Sequence, residues 1–218
     1  MTPERKVERA ARVRNCLEAL EAHQRSLKPN ASSFCGNAKG TAHGVDAGLS
    51  AGMTLRHWSF GDDESRPGKE LVEWMLDVMW DNTGPSMAAS SLGWERDSKR
   101  DELCASSSRI LMVYGACDTA CSLKPAGFVS YRFDIEDEAA VLYVYEVMVH
   151  TQFQSQGLGT HMMRLIQAIA TQQQMEKVVL TVLKSNTRAF QLYESRLGYA
   201  SFSVPRFGVT FLNVCPHS

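Results

Sequence analysis

No run of apolar residues in this chain approaches the ~20 needed to cross a bilayer as a helix, so no membrane span is expected. Charge of one sign is also missing: 23 Lys and Arg stand against 24 Asp and Glu, for a net charge of −1. That balance argues against a dedicated nucleic-acid binder. The opening MTPERKVERAARVR is charged and holds no apolar stretch, which excludes reading it as a secretory signal. The six cysteines (Cys16, Cys35, Cys104, Cys117, Cys121 and Cys215) form no C-x-x-C pair. Cys117 and Cys121 lack a Cys/His pair at zinc-site spacing. Reduced thiols and no bound metal are the expectation. There is no internal repeat. What remains is a soluble globular chain of 218 residues, 44% hydrophobic, long enough for one sizeable core or two small ones.

Hydrophobic spacing divides the chain. Val7, Ala10, Ala11, Val13, Leu17 and Leu20 recur at helical intervals, which predicts a helix over 4–28, either docked or a flexible basic arm. Residues 28–52 are rich in Ser, Ala, Gly and Asn and read as a loop or disordered insert. A helix is expected over 69–80, ended by Asn82–Pro85, and another over 94–103. Strand patterns follow at 109–114, 127–135 and 141–149, then a helix at 157–172 and a strand at 177–183. A helix at 186–196, closed by Gly198, and short strands at 199–204 and 207–214 complete the order. This predicts a mixed sheet with helices packed on it, and two regions: 1–66, helical segment and loop, and 67–218, the domain built on that sheet.

The stretch Val141–Gly159, VLYVYEVMVHTQFQSQGLG, holds most of the chemistry. A buried strand runs into a polar turn, Gln154-Ser155-Gln156-Gly157-Leu158-Gly159, and a helix-patterned segment follows at once. That order makes a nest of backbone N–H groups for a phosphate. It is neither a dinucleotide fingerprint, lacking an acid at the end of the next strand, nor a P-loop, lacking Gly-Lys-Ser/Thr. A tight β–α turn with small residues is the structural alternative. Along the strand, Leu142, Val144, Glu146 and Met148 fall on one face by alternation, with Tyr143 and Tyr145 on the other unless a bulge intervenes. A carboxylate on an apolar face is costly unless partnered or working. Burial would raise its pKa and suit Glu146 to act as a general base, the alternative being an ion pair with a Lys or Arg across the sheet.

With the downstream residues included, the chain resembles the GNAT superfamily of acetyl-CoA-dependent N-acetyltransferases. The Q-x-x-G-x-G turn is similar to that family's pyrophosphate loop, and Asn186-Thr-Arg-Ala-Phe-Gln-Leu-Tyr193 to its second motif. The ending Tyr193-Glu-Ser-Arg-Leu-Gly198-Tyr199 is also similar. FVSYRFDIEDEAAVLYVYEVMV, KVVLTVLKSNTRAFQLY and GWERDSKRDEL resemble more closely the NatD-type enzymes, which acetylate the N-terminal serine of histones 4 and 2A. The resemblance implies an α/β (mixed α+β) GNAT fold with a central twisted mixed sheet, a helical N-terminal extension and acetyl-CoA as co-substrate. It implies Glu146 as base and Tyr193 as acid, although core packing is the alternative for Tyr193. It assigns the cofactor to Val147, Met148, Val149, Gln154, Ser155, Gln156, Gly157, Leu158, Gly159, Thr160, Asn186 and Tyr193. A basic histone-tail peptide would meet Asp134, Glu136, Tyr143, Tyr145, Trp94 and Thr181; a solvated hairpin tip is the alternative for the acids, and sheet packing for the tyrosines. A monomer of cytoplasm and nucleus is the corresponding expectation.

Two features depart from that pattern. The turn is Gln-Ser-Gln where the family is basic, so Lys184 or Arg188 would have to supply charge. Leu92 and Met87 stand where the NatD pattern has aromatic residues lining the peptide pocket. Acetylation of another amine (a lysine side chain or a polyamine) and a catalytically inactive acyl-CoA-binding module are therefore the competing readings.

Overall fold

A computed structural model describes residues 1–13, 16, 53–61, 66–117, 120–203 and 209–216. Its centre is a seven-stranded sheet ordered β1-β2-β3-β4-β5-β7-β6. The strands are β1 (Thr54–Ser59), β2 (Arg109–Cys117), β3 (Ala120–Glu136), β4 (Ala139–Val149), β5 (Lys177–Leu183), β6 (Ala200–Ser203) and β7 (Val209–Val214). Only the β4–β5 pair is parallel; the other neighbours run antiparallel. The mixed α/β architecture expected from the sequence is thus the one observed.

Helices cover both faces. On one side lies α4 (Leu158–Gln172), whose Leu158, Met162, Leu165, Ile166 and Ile169 are all buried against Val129, Tyr131, Leu142 and Val144. These are the residues that the 3.6-residue spacing singles out. On the other side, Val72, Met75, Leu76 and Met79 of α2 (Lys69–Ala88) pack with Ile110, Met112, Phe128 and Met148. The short helix α3 (Arg96–Leu103) lies beside α2. A further short helix α5 (Thr187–Gln191) runs into a π-helical turn, Leu192–Arg196, and Gly198 at φ +72° closes it.

The N-terminal helix α1 (Pro3–Ala11) is docked, not a free arm; residues 14, 15 and 17–28 of its expected length lie outside the described residues. Ala10 is fully buried in the core, and the Arg109 guanidinium donates to the carbonyls of Ala11 and Val13 at 2.7 and 2.6 Å. Those carbonyls sit at the helix end, where no intrahelical donor remains. Residues 28–52, expected as a loop, also lie outside the described residues.

Three elements depart from expectation. Strand β1 falls where only loop was anticipated; its six residues pair with β2 and bury Leu55. Helix α2 continues through Asn82–Pro85 to Ala88. Pro85 removes a single N–H from the ladder, while Thr83 Oγ1 donates back to the Met79 carbonyl at 3.0 Å and Met87 buries its side chain. Gly84 sits under the Trp80 ring; a Cβ there would lie 2.3 Å from Trp80 Cε3.

The third departure is a β-bulge. Ser130 pairs with Glu146 but Tyr131 pairs with Val144, leaving Tyr145 as the extra residue on β4. A bulge shifts the alternation by one. Leu142 and Val144 therefore face α4, while Glu146 and Met148 face the α2 side with Ser130 and Phe128. The single face expected for Leu142, Val144, Glu146 and Met148 is thus divided in two. Tyr143, opposite Arg132, comes onto the same side as Glu146 instead of the opposite one.

Candidate active site

Strands β4 and β5 pair only over Val141–Val144 and Lys177–Leu180. Beyond that point they part, and the backbone groups of Tyr145–Val149 that point away from β3 meet no strand. A cavity of about 910 Å³ opens at this split. Of the residues singled out by sequence, it brings together Glu146, Val147, Met148, Tyr143, Tyr145, Trp94, Thr181, Asn186 and Tyr193.

Glu146 lines it together with Glu95, Lys99, Glu102 and Arg132. Its side chain is only 12% exposed, and Lys99 Nζ lies 3.1 Å from Oε1. The same ammonium lies 2.8 Å from Glu102 Oε2. Burial pushes the Glu146 carboxyl above the ordinary range, the Glu102 charge adds to this, and Lys99 pulls it back part of the way. Glu146 is therefore ion-paired, but to a helix residue and not across the sheet. On Lys99, burial opposes the charge, yet the two carboxylates outweigh it and hold the ammonium above its usual value.

Tyr193 is buried in the π-helical turn, with Tyr199 at 5.7 Å between ring centroids. Burial first, then the Glu146 charge, pushes its hydroxyl well up, so it stays protonated as a donor. Tyr143 Oη lies 2.7 Å from Thr181 Oγ1, and its ring is 4.8 Å from that of Tyr145. Arg132 stacks over Tyr145 at 4.3 Å and donates to the Glu102 carbonyl at 2.5 Å. Asp134 and Glu136 are exposed and lie outside the cavity lining. They continue the Arg132 face of β3, however: burial raises the Tyr145 hydroxyl, Arg132 opposes this, and the charges of Asp134, Glu102 and Glu136 add to the rise. The tyrosine end thus carries the carboxylates of Glu102, Asp134 and Glu136, with the Arg132 guanidinium among them.

The glycine turn lies next to the cavity without lining it. Gly157 at φ +82° starts α4 with no side-chain cap, so the N–H groups of Leu158, Gly159 and Thr160 have no partner within the helix. Leu158 is a core side chain, so only its backbone is available to a ligand. Gln154 Nε2 donates to Asn82 Oδ1 and to the Val149 carbonyl, both at 3.0 Å, tying the turn to α2. Gln156 donates to the Gln152 carbonyl at 3.0 Å. Arg188 reaches across from α5 to Ser155 Oγ at 2.8 Å and Gln154 Oε1 at 3.3 Å. It places a guanidinium where the turn itself has no charge. Asn186 caps α5 through Oδ1, which accepts from Ala189 N at 3.1 Å. Open strand edge, unpaired N–H groups and guanidinium together fit a pantetheine chain and its pyrophosphate.

Sequence reasoning missed Lys99, Glu102, Arg132 and Asn82. The first two sit in a helix of alternating charges whose ordinary reading is a solvated surface, and no local signal marks them.

A sequence profile of the acetyltransferase (GNAT) family matches residues 75–199, more than half of the chain. The chain belongs to the acetyltransferase (GNAT) family. The matched region runs from α2 through the split strands to Tyr199 and includes every cavity-lining residue named above. Among solved structures, the chain is similar to Arabidopsis thaliana NAA60 in complex with a bisubstrate analogue, at 13% identity and a TM-score of 0.54, covering 74% of this chain and 99% of that one. It is similar to the spermidine N-acetyltransferase of Vibrio cholerae in complex with CoA and spermine, at 14% identity and a TM-score of 0.53, covering 77% and 98%. The NatC complex bound to Gag peptide and CoA matches at 11% identity and a TM-score of 0.51, covering 75% and 98%. At such identities the likeness is one of fold.

Proposed function

We propose that this GNAT acetyltransferase is a protein N-α-acetyltransferase that takes a basic tail peptide beginning Ser-Gly-Arg-Gly, as in histones 4 and 2A, with Glu146 as its general base. The bulge at Tyr145 carries this reading, because it puts Glu146 on the wall shared with Tyr143 and Thr181, with the carboxylates of Glu102, Asp134 and Glu136 at the tyrosine end. Acetyl-CoA, when bound, supplies an activated acetyl thioester. The free α-amine it acylates has an ordinary pKa of about 7.7–8.0, so only modest help is needed to deprotonate it near neutral pH. Glu146 takes that proton, directly or through a water. Backbone N–H groups of Val147 and Val149 on the unpaired edge of β4 receive the thioester oxygen as it gains charge. Tyr193 donates a hydrogen bond to the departing sulfur, which leaves as the thiol by taking the second proton that the nitrogen sheds on forming the amide; the raised pKa of Tyr193 favours sharing its own proton over giving it up. Glu102, Asp134 and Glu136 attract and pair the peptide's arginine. A histone substrate would place the enzyme in cytoplasm and nucleus.

A carboxylate-rimmed cavity also suits a lysine side chain or a polyamine, and loss of the base would leave an acyl-CoA-binding module. One experiment separates these. The protein is incubated with acetyl-CoA and either spermidine or Ser-Gly-Arg-Gly-Lys peptides with free or blocked N-termini, and mass spectrometry locates the acetyl group. Acetyl on the free α-amine alone supports the proposal. Acetyl on the lysine of the blocked peptide, or on spermidine in preference to either, overturns it, as does acetyl-CoA binding without transfer.

A further inference from the structure

Among the described residues, Lys99 is the cation in direct contact with Glu146, 3.1 Å from its Oε1. The way it is held shows that its position is built. Helix α3 is capped by its own Glu95, whose carboxylate accepts from Ser98 N at 2.6 Å and Asp97 N at 3.3 Å. Arg96 and Arg100 fasten the helix to α2: Arg96 lies 2.8 Å from both Glu73 and Asp77, and Arg100 lies 3.0 Å from Glu73. Arg132 of β3 fastens the far end through the Glu102 carbonyl. Pinned on these sides, α3 sends Lys99 and Glu102, three residues apart, into the cavity. Their side chains are 17% and 33% exposed, and the Lys99 ammonium bridges the two carboxylates.

We propose that Lys99 is a positioning residue for acetyl transfer: it fixes Oε1 of Glu146, leaves Oε2 as the basic atom, and keeps the carboxylate charged in a buried site. This rests on the reading of Glu146 as the base. Among the described residues, the charged and titratable groups lining the cavity with Glu146 are Glu95 at the start of α3, Lys99 and Glu102 from α3, Arg132 from β3, Tyr143 and Tyr145 from β4, and Tyr193 from the π-helical turn. Lys99 is the cation in contact with it. Glu102 has the opposite sign and acts twice, holding Lys99 charged and repelling Glu146 directly. The proposal therefore assigns opposite effects to neighbouring residues of one helix, which a merely structural role does not.

The test is the pH profile of kcat/KM with the free-N-terminus peptide for Lys99→Met, Lys99→Arg and Glu102→Gln, alongside carboxyl titration by difference infrared spectroscopy against Glu146→Gln. Lys99→Met moves the Glu146 midpoint and the acid limb up by about 1 to 3 units, with about tenfold less activity per unit below the limb and recovery above it. Lys99→Arg keeps the limb near its original place. Glu102→Gln moves it down. The amine's own ionisation is common to all four proteins and does not shift. A uniform loss at every pH with an unmoved limb overturns the proposal, as does a Glu102→Gln shift in the same direction as Lys99→Met. If Lys99→Met does not fold, the Arg and Gln variants still decide. If Glu146→Gln remains fully active, the base reading fails, while the infrared midpoints still report whether Lys99 governs the Glu146 charge.

Discussion

The turn Gln154–Gly159, proposed to hold the acetyl-CoA pyrophosphate, has no basic residue of its own, and Arg188 is the guanidinium that meets the turn. Replacing Arg188 by Ala removes both its hydrogen bonds to the turn and its charge. Charge-assisted hydrogen bonds contribute about 1.5–3 kcal/mol where water is excluded, but Arg188 is exposed, so screening reduces this to about 1–2 kcal/mol. That corresponds to acetyl-CoA binding weakened about five- to thirtyfold. Calorimetric titration with acetyl-CoA at two salt concentrations measures it, and the difference between the two proteins shrinks as salt rises. Arg188→Gln separates charge from geometry, because it keeps donors for Ser155 and Gln154 but not the cation. A second ligand, S-acetylpantetheine, lacks the pyrophosphate and binds wild type and Arg188→Ala alike. Equal acetyl-CoA affinity in the two proteins refutes the argument. So does an equal loss for both ligands, which would show that Arg188 only shapes the turn.

Two further outcomes follow from the same coordinates. Tyr193→Phe lowers kcat about tenfold to a hundredfold while acetyl-CoA affinity holds, seen in steady-state kinetics beside calorimetry; an unchanged kcat leaves Tyr193 as core packing. Gly127→Ala would place a Cβ 2.7 Å from the Met148 carbonyl oxygen, where β3 and β4 approach closely. Backbone has to move to admit it, at about 1–3 kcal/mol, so thermal unfolding falls by several degrees; an unaltered midpoint refutes the close approach.

Regular elements were legible wherever side-chain period and burial agree. The apolar positions of α4 and the limits of β5 emerge from the local pattern alone, because α4 buries one helical stripe and β5 is a short apolar run buried on both faces. Elements that depend on distant partners were not. Strand β1 has six residues and a single fully buried leucine, so its pairing with β2 supplies what its own pattern lacks. Pro85 reads as a helix end because the local rule is sound, but burial of Met87 and the Thr83 bond carry α2 past it. The bulge at Tyr145 is the most consequential case. Alternation correctly ranks Glu146 as the odd residue of its strand and then assigns it the wrong companions. One inserted residue reverses the faces, and no local residue type announces it. Lys99 was hidden for a related reason: a charged helix looks solvated until the helix it leans on is known.

The central claim is that Glu146 removes the proton from the attacking amine, and Glu146→Gln tests it most directly. Burial and the Glu102 charge raise the folded-state pKa of Glu146 above its unfolded value, so its ionised form lowers stability as pH rises between the two. A neutral amide at that position relieves this, and Lys99 keeps its contact with Glu102. The variant is therefore expected to melt no lower than wild type at neutral pH, to bind acetyl-CoA equally, and to acetylate the free-N-terminus peptide at least a hundredfold more slowly, in line with the ~10²–10⁴-fold typical of general bases. Single-turnover transfer rates, measured on protein shown by melting and calorimetry to be folded and cofactor-competent, give that result or its opposite. Turnover equal to wild type in such a preparation would contradict the account.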